Sequence, residues 1–227
     1  MCGEQERCMI PTRQPERNRT GSPHEPRIGR RTGSNEFTTR KRLLPQPCLI
    51  LIMGVAGSGK STLAREILRR IWAVYLDNNY IVDAFFPETR SGRHYEKLRP
   101  RFYKTLYTIT EENLKLGNSV LLDVPHVKEV QTYKWQAFIK RLVTKTNAKL
   151  IVIRCLCSKK NLQSRIRSRG ERRDRWKLEH WKEFLRAQPI NVPIAFPHLD
   201  IDTDKSLSTN RSAAVQYILN HLGRSSY

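Results

Sequence analysis

Short unbroken apolar runs alternate along this chain with longer stretches whose apolar residues recur every three or four positions. Cys48-Leu49-Ile50-Leu51-Ile52-Met53 lies between Pro47 and Gly54. An apolar run of that length predicts a parallel strand covered on both faces. A helix is expected from about Lys60 to Trp72, with Leu63, Ala64, Ile67 and Ile71 on one face. Ala73–Leu76 reads as a second strand. A longer helix is expected from near Pro100 to Leu116, with Phe102, Leu106, Ile109, Asn113 and Leu116 on its inner face and Gly117 as its cap. Ser119–Asp123 reads as a third strand, and Glu129–Val143 as a helix facing inward through Trp135, Phe138, Ile139 and Leu142. A fourth strand follows over Lys149–Leu156. Ser158–Ala187 then reads as two helices broken near Gly170, with Asp174 as N-cap of the second. Leu199–Ile201 is a fifth strand and Ser212–Leu222 a closing helix. Strands alternating with helices in this way predict an α/β fold, doubly wound around a five-stranded parallel sheet.

The first 44 residues do not share this pattern. They are rich in Arg, Pro, Gly, Ser and Thr and carry no apolar periodicity. Such a composition buries too little surface to offset chain entropy, so 1–44 is expected to be a disordered basic extension and 45–227 the folded domain. The net charge of the chain is +21, which calls for anionic partners. Only +5 of it falls in 1–44, so the domain is itself basic. Cys2, Cys8, Cys48, Cys155 and Cys157 form no CxxC pair and read as reduced thiols. No apolar run approaches the ~20 residues of a membrane span, and no membrane partner is expected. Glu4, Glu6, Glu16 and Glu25 argue against an organelle transit peptide, and the cytoplasm is the expected compartment.

Chemistry enters at the end of the first strand. Gly54-Val55-Ala56-Gly57-Ser58-Gly59-Lys60-Ser61 fits G-x-x-x-x-G-K-[ST] at every fixed position, between a predicted strand and a predicted helix. Its glycines let the backbone turn its N–H groups onto phosphate oxygens, and the helix starting at Lys60 points its positive end at the same anion. Lys60 is placed to neutralise the β and γ phosphates, the Ser61 hydroxyl suits magnesium, and Thr62 follows as a further phosphate contact. ATP and Mg2+ are therefore the expected cofactors. No N-K-x-D guanine-reading motif appears.

With this loop, the region from about Cys48 to Leu222 resembles the P-loop kinases of small molecules and nucleotides. That superfamily includes shikimate kinases, adenylate kinases, chloramphenicol phosphotransferases, zeta toxins and polynucleotide kinases. The resemblance implies a three-layer, nucleoside-kinase-like P-loop fold. It also implies an acid after the second strand that accepts the proton of the attacking hydroxyl. Asp77, in Leu76-Asp77-Asn78-Asn79-Tyr80, stands there, at the strand end where ligands of open α/β sheets bind. It suits either that role or water-mediated hold of magnesium. Many relatives have a second Asp where this chain has Asn79, and Asp83 lies one turn on, so the base is Asp77 or Asp83. Asp123, closing the third strand, looks like the magnesium-side acid. The following Val124-Pro125-His126 departs from the D-G-[FY]-P-R of adenylate kinases and the glycine triplet of shikimate kinases.

Between Arg154 and Arg186 stand twelve Lys or Arg and four Asp or Glu. By resemblance this segment, about 158–187, is an Arg-rich helical lid closing over ATP. Arg165 and Arg169, side by side at i,i+4, are its foremost candidates, followed by Arg172, Arg173 and Arg175. Asn79, Arg99, Arg101, Tyr103 and His126 are candidates for the acceptor side. Phe85, Phe86, Trp176 and Trp181 read as core. The expected activity is transfer of the γ-phosphoryl group of ATP to a hydroxyl of a small molecule, with Lys60, Asp77 and Arg169 as catalytic residues. A nucleic-acid 5′-hydroxyl kinase and a non-catalytic ATP-dependent regulator are the alternatives. Nucleic acid is a further candidate partner through the basic surface and tail.

Overall fold

The computed structural model describes residues 41–223 apart from 89 and 91; the expected disordered extension lies almost wholly outside the described residues. Five parallel strands form one sheet: β1 (Cys48–Met53), β2 (Val74–Asp77), β3 (Val120–Asp123), β4 (Lys149–Leu156) and β5 (His198–Asp202), in the spatial order β2-β3-β1-β4-β5. The expected parallel, doubly wound α/β sheet is the one observed.

Strand β1 lies at the centre and all six of its residues are buried. Because side chains alternate across a strand, its two faces feed different cores. Leu49, Leu51 and Met53 pack with Leu106, Ile139, Leu162 and Phe184. Cys48, Ile50 and Ile52 pack with Leu63, Ile67, Ala214 and Ile218 from the opposite side. Each such aliphatic side chain contributes about 1.5–3 kcal/mol on burial.

Helices cover both faces. They are α1 (Lys60–Leu68), α2 (Asn78–Phe85), α3 (Arg93–Lys115), α4 (Tyr133–Lys145), α5 (Lys159–Arg169), α6 (Arg175–Glu179), α7 (Trp181–Ala187) and α8 (Leu207–Gly223). No helix among the described residues is long and apolar enough to cross a membrane.

Several expected boundaries shift, each for a local reason. Helix α1 stops at Leu68 rather than Trp72 because the chain bends to pair with the incoming segment: Trp72 N–H donates to the Arg42 carbonyl at 2.9 Å. Helix α3 begins at Arg93, so Pro100 sits inside it rather than at its start. Proline there forfeits one backbone hydrogen bond, and the turns before it are polar, which hid them from an apolar-stripe reading. Its buried face is Phe102, Leu106, Tyr107, Thr110 and Leu114; Ile109 and Leu116 are exposed. The expected stripe took a step of three after Leu106 where the helix face continues by four. Gly117, at φ 84°, does end the helix.

Glu129–Gln131 is a short 3-10 turn, and α4 starts only at Tyr133, capped by the Thr132 hydroxyl accepting from Trp135 N–H at 3.3 Å. Gly170, at φ 64°, breaks the basic segment as expected. Asp174 makes no cap bond: it is buried and receives Arg169 and Lys177 instead. The second helix is itself interrupted at His180. Phe85 and Trp176 are exposed rather than core.

Candidate active site

The register of β2 on β3 places Asp77 opposite Asp123 at the carboxyl ends of neighbouring strands. The phosphate loop leaves the adjacent end of β1. All three therefore converge at the same edge of the sheet, where open α/β sheets bind ligands.

The loop closes tightly. Gly54, Gly57 and Gly59 all have positive φ. A Cβ on Gly54 would lie 2.5 Å from the Cys155 carbonyl oxygen, so only glycine fits there. Lys60 Nζ donates to the Val55 carbonyl at 3.0 Å, holding the ammonium over the loop it closes. Ser58 Oγ is buried and has no partner among the described residues. Thr203, just after β5, braces the loop from outside: its hydroxyl lies 3.0 Å from both the Ser58 and Leu156 carbonyls.

The carboxylate pair is buried beside the loop. Asp77 Oδ1 accepts from Asn79 N–H at 2.8 Å, which makes Asp77 the N-cap of α2. The Tyr75 hydroxyl stands between the two acids, 3.2 Å from Asp77 Oδ2 and 3.1 Å from Asp123 Oδ2. Burial and the two anions keep that phenol protonated. Burial pushes the Asp123 carboxyl above the ordinary carboxylate range, and the neighbouring Asp77 adds to this, while Lys60 pulls it down. One hydroxyl proton is thus shared by two buried carboxylates, with the Ser61 hydroxyl alongside. That oxygen-rich, anionic donor set fits a hard divalent cation of the magnesium type, which takes one or two carboxylates and keeps several waters.

A cavity of about 430 Å³ opens in front of these groups. Of the residues expected in the site, Lys60, Ser61, Thr62, Asp77, Asn79, Arg99, Tyr103, Arg165, Arg169 and Arg173 line it, together with Ala56, Gly57 and Gly59. Gly54, Val55, Ser58 and Asp123 are buried outside that lining. Arg101, Arg172 and His126 are not brought into the cavity. Arg101 is exposed on α3, and Arg172 is exposed and pairs with Glu88 at 2.6 Å. His126 is buried, stacked parallel on Tyr107 and bonded to its hydroxyl. Burial pushes its pKa down.

The structure adds residues that the sequence reading passed over. Arg90, Tyr95, Lys177 and Gln188 line the cavity. Arg90 donates to Asn79 Oδ1 at 2.8 Å and also pairs with Asp83. Asp83 receives Arg173 through its other oxygen, so both of its oxygens are taken by guanidinium groups. Asp77, which lines the cavity, is the better placed of the two candidate bases. Arg99 pairs with Glu129 and lies 4.9 Å from the Tyr103 ring centre. Arg165 is anchored on the loop after β5, donating to Thr203 Oγ1 at 2.8 Å and to the Thr203 carbonyl at 2.7 Å. The polar Arg90 loop has no periodicity to point to it; Tyr95 and Lys177 lie on helix turns with no apolar stripe.

The sheet order, the phosphate loop at the end of the central strand and the paired carboxylates define a P-loop protein of kinase-like architecture. More narrowly, the chain belongs to the family described as AAA domain, whose profile matches residues 49–189. Solved structures with the same fold include a protein of Chloroflexus aurantiacus provisionally described as a kinase, 22% identical, with TM-score 0.60 over 78% of this chain and 99% of that one. A sugar kinase from Janibacter is 12% identical, with TM-score 0.58 over 80% and 99%. An APS kinase of Mycobacterium tuberculosis, solved with AMPPNP and APS, is 16% identical, with TM-score 0.54 over 77% and 99%. No curated protein matches the chain in sequence. A kinase-like P-loop fold is one that serves nucleotide-dependent phosphoryl transfer.

Proposed function

We propose that this protein is an ATP-dependent kinase that moves the γ-phosphoryl group of ATP to a hydroxyl of a small, anionic acceptor. The observation that carries this reading is Asp77, which lines one cavity with both the phosphate loop and three arginines of the basic segment.

The loop N–H groups from Gly54 to Thr62, with Lys60, hold the β and γ phosphates. Ser61 and Asp123 hold magnesium. The metal supplies neutralisation of the phosphate oxygens. Asp77 Oδ2 receives the proton of the acceptor hydroxyl as its oxygen bonds the γ phosphorus and the bridging P–O bond to ADP breaks. Arg165, Arg169 and Arg173 form the 158–187 lid and stabilise charge on the transferring group. Arg99, Tyr103 and Asn79, joined by Arg90, face the acceptor. Seven cations line the cavity and Asp77 is its one lining carboxylate; six of the cations are paired with Asp83, Glu129, Asp174 or Asp204 behind the wall, pairs that an acceptor carrying its own negative charge can exchange into.

The test is a screen of hydroxyl acceptors with γ-labelled ATP, including phosphorylated, sulfated and carboxylated compounds and a 5′-hydroxyl oligonucleotide. Lys60→Ala serves as the control and should abolish transfer while leaving the circular-dichroism spectrum unchanged. Transfer retained in Lys60→Ala overturns the reading.

A further inference from the structure

A second cavity, about 510 Å³, lies at the other end of α1 from the phosphate loop. About 14 Å of helix separates the two. Arginines from three separate stretches line it: Arg42 before β1, Arg70 just past α1, and Arg211 on α8. Gln216 and Asn220 of α8 add neutral hydrogen-bonding groups, and no carboxylate lines the cavity.

The helix dipole accounts for Arg69 and Arg70, since cations are favoured at a helix carboxyl end. It does not account for Arg42 or Arg211, which come from elsewhere. Glu66 is the nearby acid, and it is occupied by Arg69 at 2.8 Å and Arg211 at 3.1 Å. Among the described residues no carboxylate pairs with Arg42 or Arg70. Gathering like charges in one cleft costs energy that an anion recovers.

Trp72 joins this group. Its backbone N–H bonds the Arg42 carbonyl, the residue is 58% exposed, and Lys41 Nζ lies 5.4 Å from the ring centre. An exposed aromatic plane with a cation over it, on the chain that adjoins a basic cleft, is the combination that holds single-stranded nucleic acid, through base stacking and backbone phosphates.

We propose that Arg42, Arg70 and Arg211, with Trp72, form a binding site for the phosphate backbone of single-stranded nucleic acid, on the face of the domain remote from the kinase cavity. The site is independent of the phosphoryl-transfer reading and holds whether or not the acceptor screen succeeds.

The experiment titrates the full chain into a fluorescein-labelled oligouridylate of about 16 nucleotides. It reads anisotropy over a range of salt, with AMPPNP saturating the kinase cavity. Arg42→Ala/Arg70→Ala should weaken binding about tenfold, and the slope of log affinity against log salt should shrink by about 1.4, two single-strand phosphate contacts. Arg42→Lys/Arg70→Lys should keep the wild-type slope. Oligouridylate should quench tryptophan emission, and Trp72→Phe should remove that quenching.

An unchanged slope in the double alanine variant overturns the site. So does full quenching in Trp72→Phe, which would place the strand elsewhere, on the basic extension for example. Loss of binding on adding AMPPNP would assign the strand to the kinase cavity and overturn it too. Displacement of the oligonucleotide by poly-glutamate of equal charge would assign the cleft to an acidic polypeptide and equally sink the proposal.

Discussion

The two halves of the kinase cavity are built on different principles. The phosphate-loop half is backbone: eight consecutive residues, three of them glycines at positive φ, folded onto β1 and α1. The opposite half is side chain, and its shape depends on ion pairs between distant residues. Arg173 meets Asp83 across 90 positions of chain, Arg99 meets Glu129 across 30, and Arg165 reaches Asp204 across 39. A backbone cradle is rigid and tolerates little substitution. A network of guanidinium–carboxylate pairs can exchange partners when an anionic ligand enters. The difference teaches where, on the proposed reading, selectivity would be set: the phosphate-loop side is fixed, and the side built by the lid and the proposed acceptor residues is adjustable.

This contrast can be broken at several points. The largest effect is expected from Asp77→Asn, which keeps the shape and removes the proton acceptor. kcat should fall by about 10²–10⁴ with KM changed only slightly, as measured by steady-state kinetics; a kcat within threefold of wild type would remove Asp77 from the base role. Asp83→Asn should act on the adjustable half alone. It releases both Arg90 and Arg173, so KM should rise about tenfold and kcat should fall with it, because Arg173 is among the guanidinium groups proposed to stabilise the transferring phosphoryl group; both arginines are largely buried, so the unfolding temperature should drop as well.

On the rigid half, Gly54→Ala forces a Cβ against the Cys155 carbonyl at a backbone angle that side chains rarely adopt. A loss of about 1–3 kcal/mol in urea unfolding is expected, together with loss of nucleotide binding. Behind the acceptor side, His126 links stability to pH. Burial lowers its pKa, so the folded state favours neutral imidazole. The stability this contributes is complete above the ordinary value of 6.5 and is lost as pH falls through the lower folded value. Urea midpoints should therefore drop on going from pH 7.5 to 5.5, and more shallowly in His126→Gln; parallel curves would show that other groups govern this window. Arg101→Ala is expected to have the smallest effect, with kcat/KM within about twofold of wild type, because the side chain is exposed away from the cavity.

Legibility from sequence follows the same division. The phosphate loop could be read because its chemistry is contiguous: glycines at fixed offsets, then Lys60 and Ser61. The strands could be read because β1 and β3 are buried on both faces and appear as apolar runs, and β4 is apolar over Leu150–Ile153 before Arg154, whose charge is met by Asp200. Asp77 and Asp123 were within reach because strand ends mark the binding edge of such a sheet. The arginine half was only partly legible. The basic composition of 158–187 pointed to the right segment, but which guanidinium reaches the cavity depends on where each helix turns, and charge counting carries no phase. Arg172 and Arg173 are neighbours in sequence, yet Arg173 lines the cavity and Arg172 does not. Arg101 failed for a related reason. With Pro100 taken as the start of α3, the seven residues before it lost their helical phase, and Tyr95 with it. Tyr75 was hidden because a tyrosine in a short strand reads as packing, whereas its hydroxyl ties two carboxylates 46 residues apart.

Thr203 has a consequence of its own. One small side chain spans the Ser58 and Leu156 carbonyls and accepts a hydrogen bond from Arg165, joining a loop near the start of the domain to a turn near its end, 145 residues later. These bonds tie the loop to that turn, so a shift of the first on ligand binding is expected to move the second. A fluorophore attached at exposed Lys205, two residues along, would then report occupancy from outside the catalytic chamber, and replacing Thr203 by valine would silence it.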